Sequence, residues 1–212
     1  MNEKIREHWD KVYSGEDLTK LGWYEETPDP CLELLAECKF RRTDPVIDVG
    51  CGTSMFIDNL ISLGYSNIIA LDISQKPLDK IRERLGKTIS SRIQFIAGDI
   101  TEPASLGIGR ELGLWHDRAM LHFLTDEISQ NAYATAIRRN VRVGGYLIIA
   151  AYSDDGAKRC SGMSVHNYNE KTLSELVGED FEIIKNFKYV YRMPSGGKRP
   201  YVYCLFRRVK RE

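Results

Sequence analysis

The stretch DPVIDVGCGTSMF, residues 44–56, decides how this chain folds. A short β-branched run over 46–49 is bounded by proline and by Gly50, and a second glycine follows at Gly52. Apolar residues at 56, 57, 60, 61 and 63 then recur with the period of a helix that packs on one face. Because glycine is used where a backbone turns tightly or lies against another group, the stretch predicts a strand, a tight turn and a helix, with something lying against the turn.

The same strand–helix unit recurs along the chain. NIIALD (67–72) and KPLDKIRERLG (76–86) predict a second strand and helix, RIQFIAGD (92–99) a third strand and LWHDRA (114–119) a fourth. TDEISQNAYATAIRRNV (125–141) predicts a helix with Thr125 as its N-cap, ended by Gly144 and Gly145 before a strand in YLIIAAY. Alternating strands and helices at this spacing predict an α/β fold, a parallel sheet covered by helices on both faces.

Both ends of the chain depart from this alternation. FEIIKNFKYVYRM (181–193) and PYVYCLFRR (200–208) predict two long strands joined by a turn-rich hairpin, which adds an antiparallel tail to the sheet. The first 40 residues predict a helical lead-in, followed by a core over 44–208. We therefore expect one domain over 1–212, because 212 residues suit a single globular core.

Composition limits the partners. Thirty basic side chains balance thirty acidic ones, so no overall field favours nucleic acid or an anionic membrane. No segment has the apolar length of a signal peptide or a membrane span, and we expect a cytoplasmic protein. Five cysteines without a CxxC pair suit neither a disulfide framework nor a zinc site, so we expect reduced thiols and no metal.

The glycine turn lies where doubly wound sheets bind nucleotide-like ligands. A dinucleotide fingerprint requires a third glycine where this chain has Met55, and the lysine of a phosphate-binding loop is absent. Three acids instead end successive strands: Asp48 suits a ligand amino group, Asp72 the paired hydroxyls of a ribose, and Asp99 an adenine edge. Together they predict an adenosyl amino acid as the ligand. A nicotinamide enzyme stays an alternative.

The motifs VIDVGCGTS, ALDIS and AGDI resemble the first three motifs of class I S-adenosylmethionine-dependent methyltransferases. The C-terminal hairpin resembles the reversed strand pair of their seven-stranded, Rossmann-like sheet, and the resemblance spans about residues 5–208. HWDKVY, GWYEETPDPCLELL and LWHDRAMLHFLTD are similar to a branch that holds small bacterial methyltransferases, thiopurine methyltransferase relatives and some lysine methyltransferases.

The resemblance implies S-adenosyl-L-methionine as cofactor and S-adenosyl-L-homocysteine as product. Asp48, Gly50 and the backbone near Gly52 are expected to hold the methionine end, and Asp72 the ribose. The implied adenine contacts are Ile73, Asp99 and Ile100. In this fold Asp117 and Arg118 face the methyl donor, and an aromatic N-terminal lid with Trp23 and Tyr24 closes over the sulfonium.

Several of these residues have a purely structural alternative. Trp23 and Tyr24 suit a core as well as a lid, and Asp117 and Arg118 suit a structural ion pair as well as a catalytic pair. His122 is interpreted as helix packing or a cap and not as a general base. Cys160 is interpreted as an inert loop thiol, which disfavours methylation of a metalloid.

The acceptor is the least determined part of the function. We expect a monomer that methylates a small-molecule N, S or O nucleophile, with Asp117 taking a proton where the acceptor is an amine. A protein-lysine N-methyltransferase is the alternative. A non-catalytic nucleoside-binding module is a further one.

Overall fold

The computed structural model describes residues 3–15, 17–102, 106–108 and 111–209. A seven-stranded sheet runs through them in the order β3-β2-β1-β4-β5-β9-β8. Its strands are β1 (Val46–Val49), β2 (Ile68–Asp72), β3 (Ile93–Ala97), β4 (Leu112–Arg118), β5 (Val141–Tyr152), β8 (Phe181–Arg192) and β9 (Lys198–Arg208). Strands β6 (Arg159–Cys160) and β7 (Met163–Ser164) form a separate short hairpin.

The first five strands are parallel, and β9 pairs antiparallel with both β5 and β8. The strand order reverses at β1 and β4, which lie side by side. In open α/β sheets a ligand-binding crevice forms at this point of reversal, beyond the carboxyl ends of the strands. The predicted α/β class and the antiparallel C-terminal hairpin are thus confirmed.

Helices cover both faces of the sheet. They are α1 (Glu3–Val12), α2 (Asp29–Glu37), α3 (Phe56–Ser62), α4 (Gln75–Ser90), α5 (Glu127–Asn140) and α6 (Glu170–Val177). One buried cluster joins the sheet to α2, α3 and α4, and a second joins the opposite face to α5 and α6. Consecutive residues of β1 enter opposite clusters, Val46 the first and Ile47 the second. The strands β1 and β2 are therefore buried on both faces, as their short apolar runs predict.

Two details of the predicted boundaries are wrong. Asp126, not Thr125, caps α5, because its carboxylate accepts the backbone N–H of Ser129 at 2.9 Å. Gly144 and Gly145 do not end the helix: it ends at Asn140, and both glycines lie inside β5. The register of β4 against β5 shifts between Leu112 and Leu114, so this part of β5 accommodates an irregularity that glycine tolerates.

The region before residue 40 contains α1 and α2 and a 3-10 turn, Leu18–Lys20. No residue of α1 is buried, whereas Cys31, Leu34 and Leu35 of α2 enter the core. The two helices therefore differ in how firmly they are held. The division into a lead-in over 1–40 and a core over 44–208 stays a prediction, and residues 1, 2 and 210–212 lie outside the described part.

Candidate functional site

Side chains pack closely against the backbone of the turn after β1. Gly50 and Gly52 have φ of +63° and +50°, a conformation that L side chains rarely adopt. A Cβ at Gly50 would overlap the side chain of Met120, and one at Gly52 would overlap the hydroxyl of Tyr13. Both glycines are therefore required by conformation and by space.

Asp72 at the end of β2 is tied to that turn. Its Oδ2 accepts the backbone N–H of Gly52 at 2.8 Å, and its Oδ1 accepts that of Ser74 at 2.9 Å. Burial raises the pKa of the carboxyl to about 6, although both N–H donors act in the opposite direction. Each oxygen keeps a second lone pair for another donor. Asp72 thus links the glycine turn to the start of α4 and still offers acceptors to a ligand.

The next strand end adds Asp99 and Ile100. Asp99 Oδ1 accepts both the backbone N–H and the hydroxyl of Thr101, at 2.9 and 2.6 Å, so the carboxylate forms a turn of its own. Ile100 is buried, and Ile73, after β2, is half-buried. All three line the same cavity as Asp72. The structure therefore brings these four expected residues together.

That cavity has a volume of about 260 Å³. Its walls come from the carboxyl ends of β1 to β4, from α1, from the start of α5 and from the β6–β7 hairpin. The lining includes Ile5, Trp9, Tyr13, Trp23, Gly50, Asp72, Ile73, Asp99, Ile100, Arg118, Met120, Phe123, Leu124, Cys160 and Met163. Such a mostly apolar cleft with a few polar groups, at the point where strand order reverses, is typical of a ligand site.

Aromatic rings close one side of the cavity. Trp9 of α1 contacts Phe123 edge-on, with ring centroids 5.0 Å apart, and Trp23 at 5.7 Å. Tyr13 is buried beneath them. Trp23 therefore lines the cavity, and its role beside the sulfonium stays a prediction. Tyr24 does not line this cavity: its carbonyl accepts the hydroxyl of Tyr191, which ties it to β8 instead.

A second, smaller hollow of about 40 Å³ shares Trp23, Gly50 and Arg118 with the first. Tyr24, Glu25, Asp48 and His116 are among the residues that line it. The expected residue Asp48 therefore faces this compartment and not the larger cavity.

Asp48 is paired with a buried histidine. His116 Nδ1 lies 2.6 Å from Asp48 Oδ1, and the imidazole stacks on Phe56 with centroids 3.8 Å apart. Burial alone lowers the pKa of His116, but Asp48 and Cys31 outweigh it and raise the pKa to about 10. Asp48 Oδ2 is buried without a hydrogen-bond partner in the described part of the chain. This orphaned oxygen suits an ammonium group of a ligand.

Arg118 lies at the boundary of the two hollows. Its Nε is 2.9 Å from Glu25 Oε2, and its Nη1 donates to the carbonyl of Trp23 at 2.9 Å. The guanidinium lies over the rings of Tyr191 and Tyr201, 5.1 and 5.4 Å from their centroids. Nη2 is buried and has no partner among the described residues. The position of Arg118 is therefore fixed, and one donor is unused.

Asp117 points to the opposite face of β4. Its Oδ2 accepts the hydroxyl of Tyr133 at 2.8 Å, and its Oδ1 accepts the backbone N–H groups of Met120 and Leu121 at 3.0 and 3.3 Å. It lines neither hollow. Burial raises its pKa to about 6, against the effect of these three donors. This geometry fits a support for the turn after β4 and does not bring Asp117 to the cavity as a proton acceptor.

Sequence reasoning missed Glu25, Met120, Phe123 and Met163 as wall residues. Nothing in the local sequence distinguishes Met120 or Phe123 from core residues. Glu25 had a signal, since an acid beside two aromatics in GWYE is unusual for a buried lid. That signal did not identify Arg118 as the partner of Glu25.

The described residues contain no group of three or more His, Cys, Asp or Glu that could hold a metal ion. Their five cysteines are free. In the same part of the chain, every helix is too short or too polar to cross a bilayer.

The fold and this pair of hollows define a class I S-adenosylmethionine-dependent methyltransferase. The strand order and the antiparallel C-terminal pair are those of this fold. The residues of the two hollows fit the donor, because Asp72 can accept from hydroxyl groups and Asp48 from an ammonium group. The chain belongs to the methyltransferase domain family, whose sequence model matches residues 41–198. It is thus an enzyme, which excludes the nicotinamide and binding-module alternatives.

The sequence of the chain is similar to lysine methyltransferases, and its fold is similar to that of two solved structures. EEF1A lysine methyltransferase 2 of Danio rerio is 23% identical over 193 residues, covering 85% of this chain and 76% of that protein. The human protein of the same name is 25% identical over 200 residues, covering 85% and 75%. The Burkholderia thailandensis 1,6-didemethyltoxoflavin-N1-methyltransferase superposes with a TM-score of 0.72 and 18% identity, covering 97% of this chain and 88% of that one. A structure described under conversion of a disulfide bond into a thioacetal group during echinomycin biosynthesis gives a TM-score of 0.75 and 21% identity, covering 97% and 92%.

Proposed function

We propose that this methyltransferase transfers the methyl group of S-adenosylmethionine to a small molecule and not to a protein side chain. The observation that carries the proposal is the position of α1 and the β6–β7 hairpin, which line the cavity opposite its carboxylates through Trp9 and Met163. Phe123 completes this side of the cavity, whose volume is about 260 Å³. Sites that enclose most of a ligand's surface suit small molecules.

The donor assignment follows the walls of the two hollows. Asp72 would accept the ribose hydroxyls, while Ile73, Asp99 and Ile100 would surround the adenine. The methionine end would extend past Gly50 toward the smaller hollow, where Asp48 Oδ2 is available to an ammonium. Trp23 lies between the hollows, which suits an aromatic face beside the sulfonium.

Two of the residues expected from the sequence change their proposed role. Tyr24 would help to form the small hollow rather than the lid over the sulfonium, because its carbonyl is held by Tyr191. Arg118 would position the lid segment through Trp23 and Glu25. It remains a candidate contact for a ligand anion through Nη2.

When bound, the donor supplies a sulfonium methyl that is already activated toward nucleophiles. The protein then has to hold the nucleophile in line and keep water out. Such orientation is worth roughly 7–11 kcal/mol of the barrier. The aromatic wall formed by Trp9, Trp23 and Phe123 is suited to both tasks, because it is apolar and its rings contact one another.

A protein-lysine acceptor is the second candidate, favoured by the names of the relatives at 23% and 25% identity. The two candidates separate in one experiment. The enzyme is incubated with donor labelled in the methyl group and either a protein-free metabolite extract or a proteome stripped of small molecules. We expect label in the first mixture, and label confined to a protein band would overturn the proposal. The monomeric state stays a prediction, as does the cytoplasmic location.

A further inference from the structure

Three residues other than glycine have a positive φ in the described part of the chain: Glu111, Ala119 and Ser161. Ser161 lies in the turn of the β6–β7 hairpin, and tight hairpin turns require this conformation. Glu111 is exposed and precedes β4 at the edge of the sheet away from the cavity. Ala119 follows β4 and, unlike the other two, lines the larger cavity. One unusual backbone conformation therefore belongs to the site.

The conformation of Ala119 is strained. Its φ is +74°, in the left-handed region that glycine adopts freely and that brings the Cβ of an L residue too close to the following carbonyl. Asparagine and aspartate offset part of this cost with a local hydrogen bond, which the methyl group of alanine cannot form. Strained residues persist only where the surrounding structure holds them, and they cluster at functional sites.

Hydrogen bonds on both sides of Ala119 hold it in place. Its own N–H donates to the carbonyl of Ala150 in β5 at 2.8 Å. The next N–H, that of Met120, donates to Asp117 Oδ1 at 3.0 Å. Tyr133 fixes this carboxylate in turn, because its hydroxyl donates to Oδ2 at 2.8 Å. The buried carboxylate of Asp117 therefore supports the strained residue that follows it.

The residues on either side of Ala119 both form walls of the site. Arg118 precedes it and lines both hollows, and its Nη1 donates to the carbonyl of Trp23 at 2.9 Å. Met120 follows it and packs against Gly50 so closely that a Cβ there would overlap the Met120 side chain. The backbone conformation of one residue thus relates the cation of the site to the side chain that covers the glycine turn.

We propose that Ala119 is a positioning residue for methyl transfer, whose left-handed conformation fixes Arg118 relative to Met120 where the methionine end of the donor passes Gly50. For an L residue the left-handed region is small, so a backbone held there has little freedom, whereas the region open to glycine is wide. The strain is therefore the cost of a precise turn. The proposal rests on the proposed function, because that function places the methionine end of the donor at the smaller hollow.

Ala119→Gly separates stability from positioning. Because glycine adopts a positive φ without strain, we expect the ligand-free variant to have a Tm about 1–4 °C above the wild type. The wider range of the glycine backbone should weaken binding of S-adenosylhomocysteine by about 2- to 5-fold. Adenosine, which lacks the methionine end, should bind the variant and the wild type equally well. Thermal unfolding measures the first effect, and equilibrium dialysis measures both dissociation constants.

Glu111→Gly is the matched control. Glu111 has a φ of +75°, almost the same as that of Ala119, but it lines neither hollow. The control variant should therefore gain stability in the same way and bind S-adenosylhomocysteine as the wild type does. A variant that is more stable and yet binds more weakly is not explained by damage to the fold.

Ala119→Ser tests whether the Cβ is what matters. Serine restores the Cβ and with it the narrow left-handed region, so this variant should bind S-adenosylhomocysteine as tightly as the wild type. Loss of affinity with serine as well as with glycine would show that contacts of the alanine methyl group, and not the backbone, explain the effect. That result would overturn the proposal.

The remaining results are equally decisive. A lower Tm of Ala119→Gly would show that the alanine is not strained. An unchanged affinity for S-adenosylhomocysteine, or an equal loss for adenosine, would show that the turn does not position the methionine end. Weaker binding by Glu111→Gly would assign the effect to β4 as a whole. Each of these results refutes the role of Ala119 and leaves the proposed function standing, whereas a wild type that does not bind S-adenosylhomocysteine would refute both.

Discussion

Asp72 is proposed to accept the ribose hydroxyls, so we expect its ionisation to be coupled to donor binding. Burial raises its pKa to about 6 in the ligand-free protein, and ribose hydroxyls require the carboxylate form as their acceptor. A ligand that binds the ionised form must expel a proton below that pKa. We therefore expect the affinity for S-adenosylhomocysteine to fall by up to about tenfold per pH unit below pH 6 and to level off above it.

Calorimetry between pH 4.5 and 8 measures this dependence. Asp72→Asn is the matched variant, because it keeps the size of the side chain and removes the titration. It should bind weakly at every pH. Alanine is a poorer choice, since it would leave the backbone N–H groups of Gly52 and Ser74 buried without an acceptor, at about 1–3 kcal/mol each. A wild-type affinity that does not change through pH 6 would remove Asp72 from the ribose site.

His116 is expected to stabilise the fold through its charge. Its folded pKa of about 10 lies above the ordinary value of 6.5, so its contribution is complete below pH 6.5 and is lost as the pH rises through 10. His116→Phe leaves Asp48 buried without its partner, which should lower the free energy of unfolding by about 3–5 kcal/mol at pH 7. Urea unfolding without ligand measures the loss.

His122 offers a matched comparison, because it is as buried as His116 but no carboxylate of the described residues pairs with it, and it stays neutral. His122→Phe removes one acceptor from Tyr152 N and should cost less, about 1–3 kcal/mol. It should also leave the loss of stability above pH 6.5 intact. If both variants lost the same free energy and the same pH dependence, the ion pair with Asp48 would have no special role.

The loose packing of α1 predicts that this helix is mobile. None of its residues is buried, and part of its attachment to the core is made at its C-terminal end, where Asp10 accepts the hydroxyl of Ser74 at 2.5 Å. Segments with few buried contacts open most easily. We expect the amides of 3–13 to exchange hydrogen faster than those of β1 and β4, and S-adenosylhomocysteine to slow them.

The neighbouring helix α2 is the internal control for that measurement. Cys31, Leu34 and Leu35 anchor it in the core, so its exchange should be slow with or without ligand. Equal protection of α1 in both states would show that it is a fixed layer and not a lid. Equal slowing of α1 and α2 would instead indicate a global rise in stability.

Which elements could be predicted depended on the strength of the local pattern. The strands β1 and β2 are short apolar runs between turn residues, and α3 has a clear helical period, so their existence followed from the sequence. The start of α5 did not, because TD presents two good caps in succession and only the structure shows Asp126 bonded to Ser129. Gly144 and Gly145 were misread because glycine marks an irregular place in a strand as well as the end of a helix.

Some site residues could likewise be predicted from the sequence and others could not. The sequence predicted that Asp72, Asp99 and the two glycines lie close together, because they follow strand ends and parallel strands bring those ends to one edge of a sheet. The sequence did not show that Asp117 faces away from the cavity, because every residue from 112 to 117 is buried and no alternation reveals which side chains of β4 face it. The register with β1 decides it, since His116 lies opposite Asp48 and the next residue must face away.

The whole molecule should respond to its donor as one cooperative unit, because the cavity joins separate parts of the chain, among them α1, the ends of β1 to β4 and the β6–β7 hairpin. A ligand that binds only the native state stabilises it by about 2.7 kcal/mol at 100 times its dissociation constant. For a domain of this length that corresponds to a rise in Tm of about 5–10 °C. Thermal unfolding with S-adenosylhomocysteine measures the rise, with NADH and NADPH as controls that should leave Tm unchanged. A rise with NADH alone would contradict the donor assignment, since the turn at Gly50 and Gly52 lacks the third glycine that a pyrophosphate site requires.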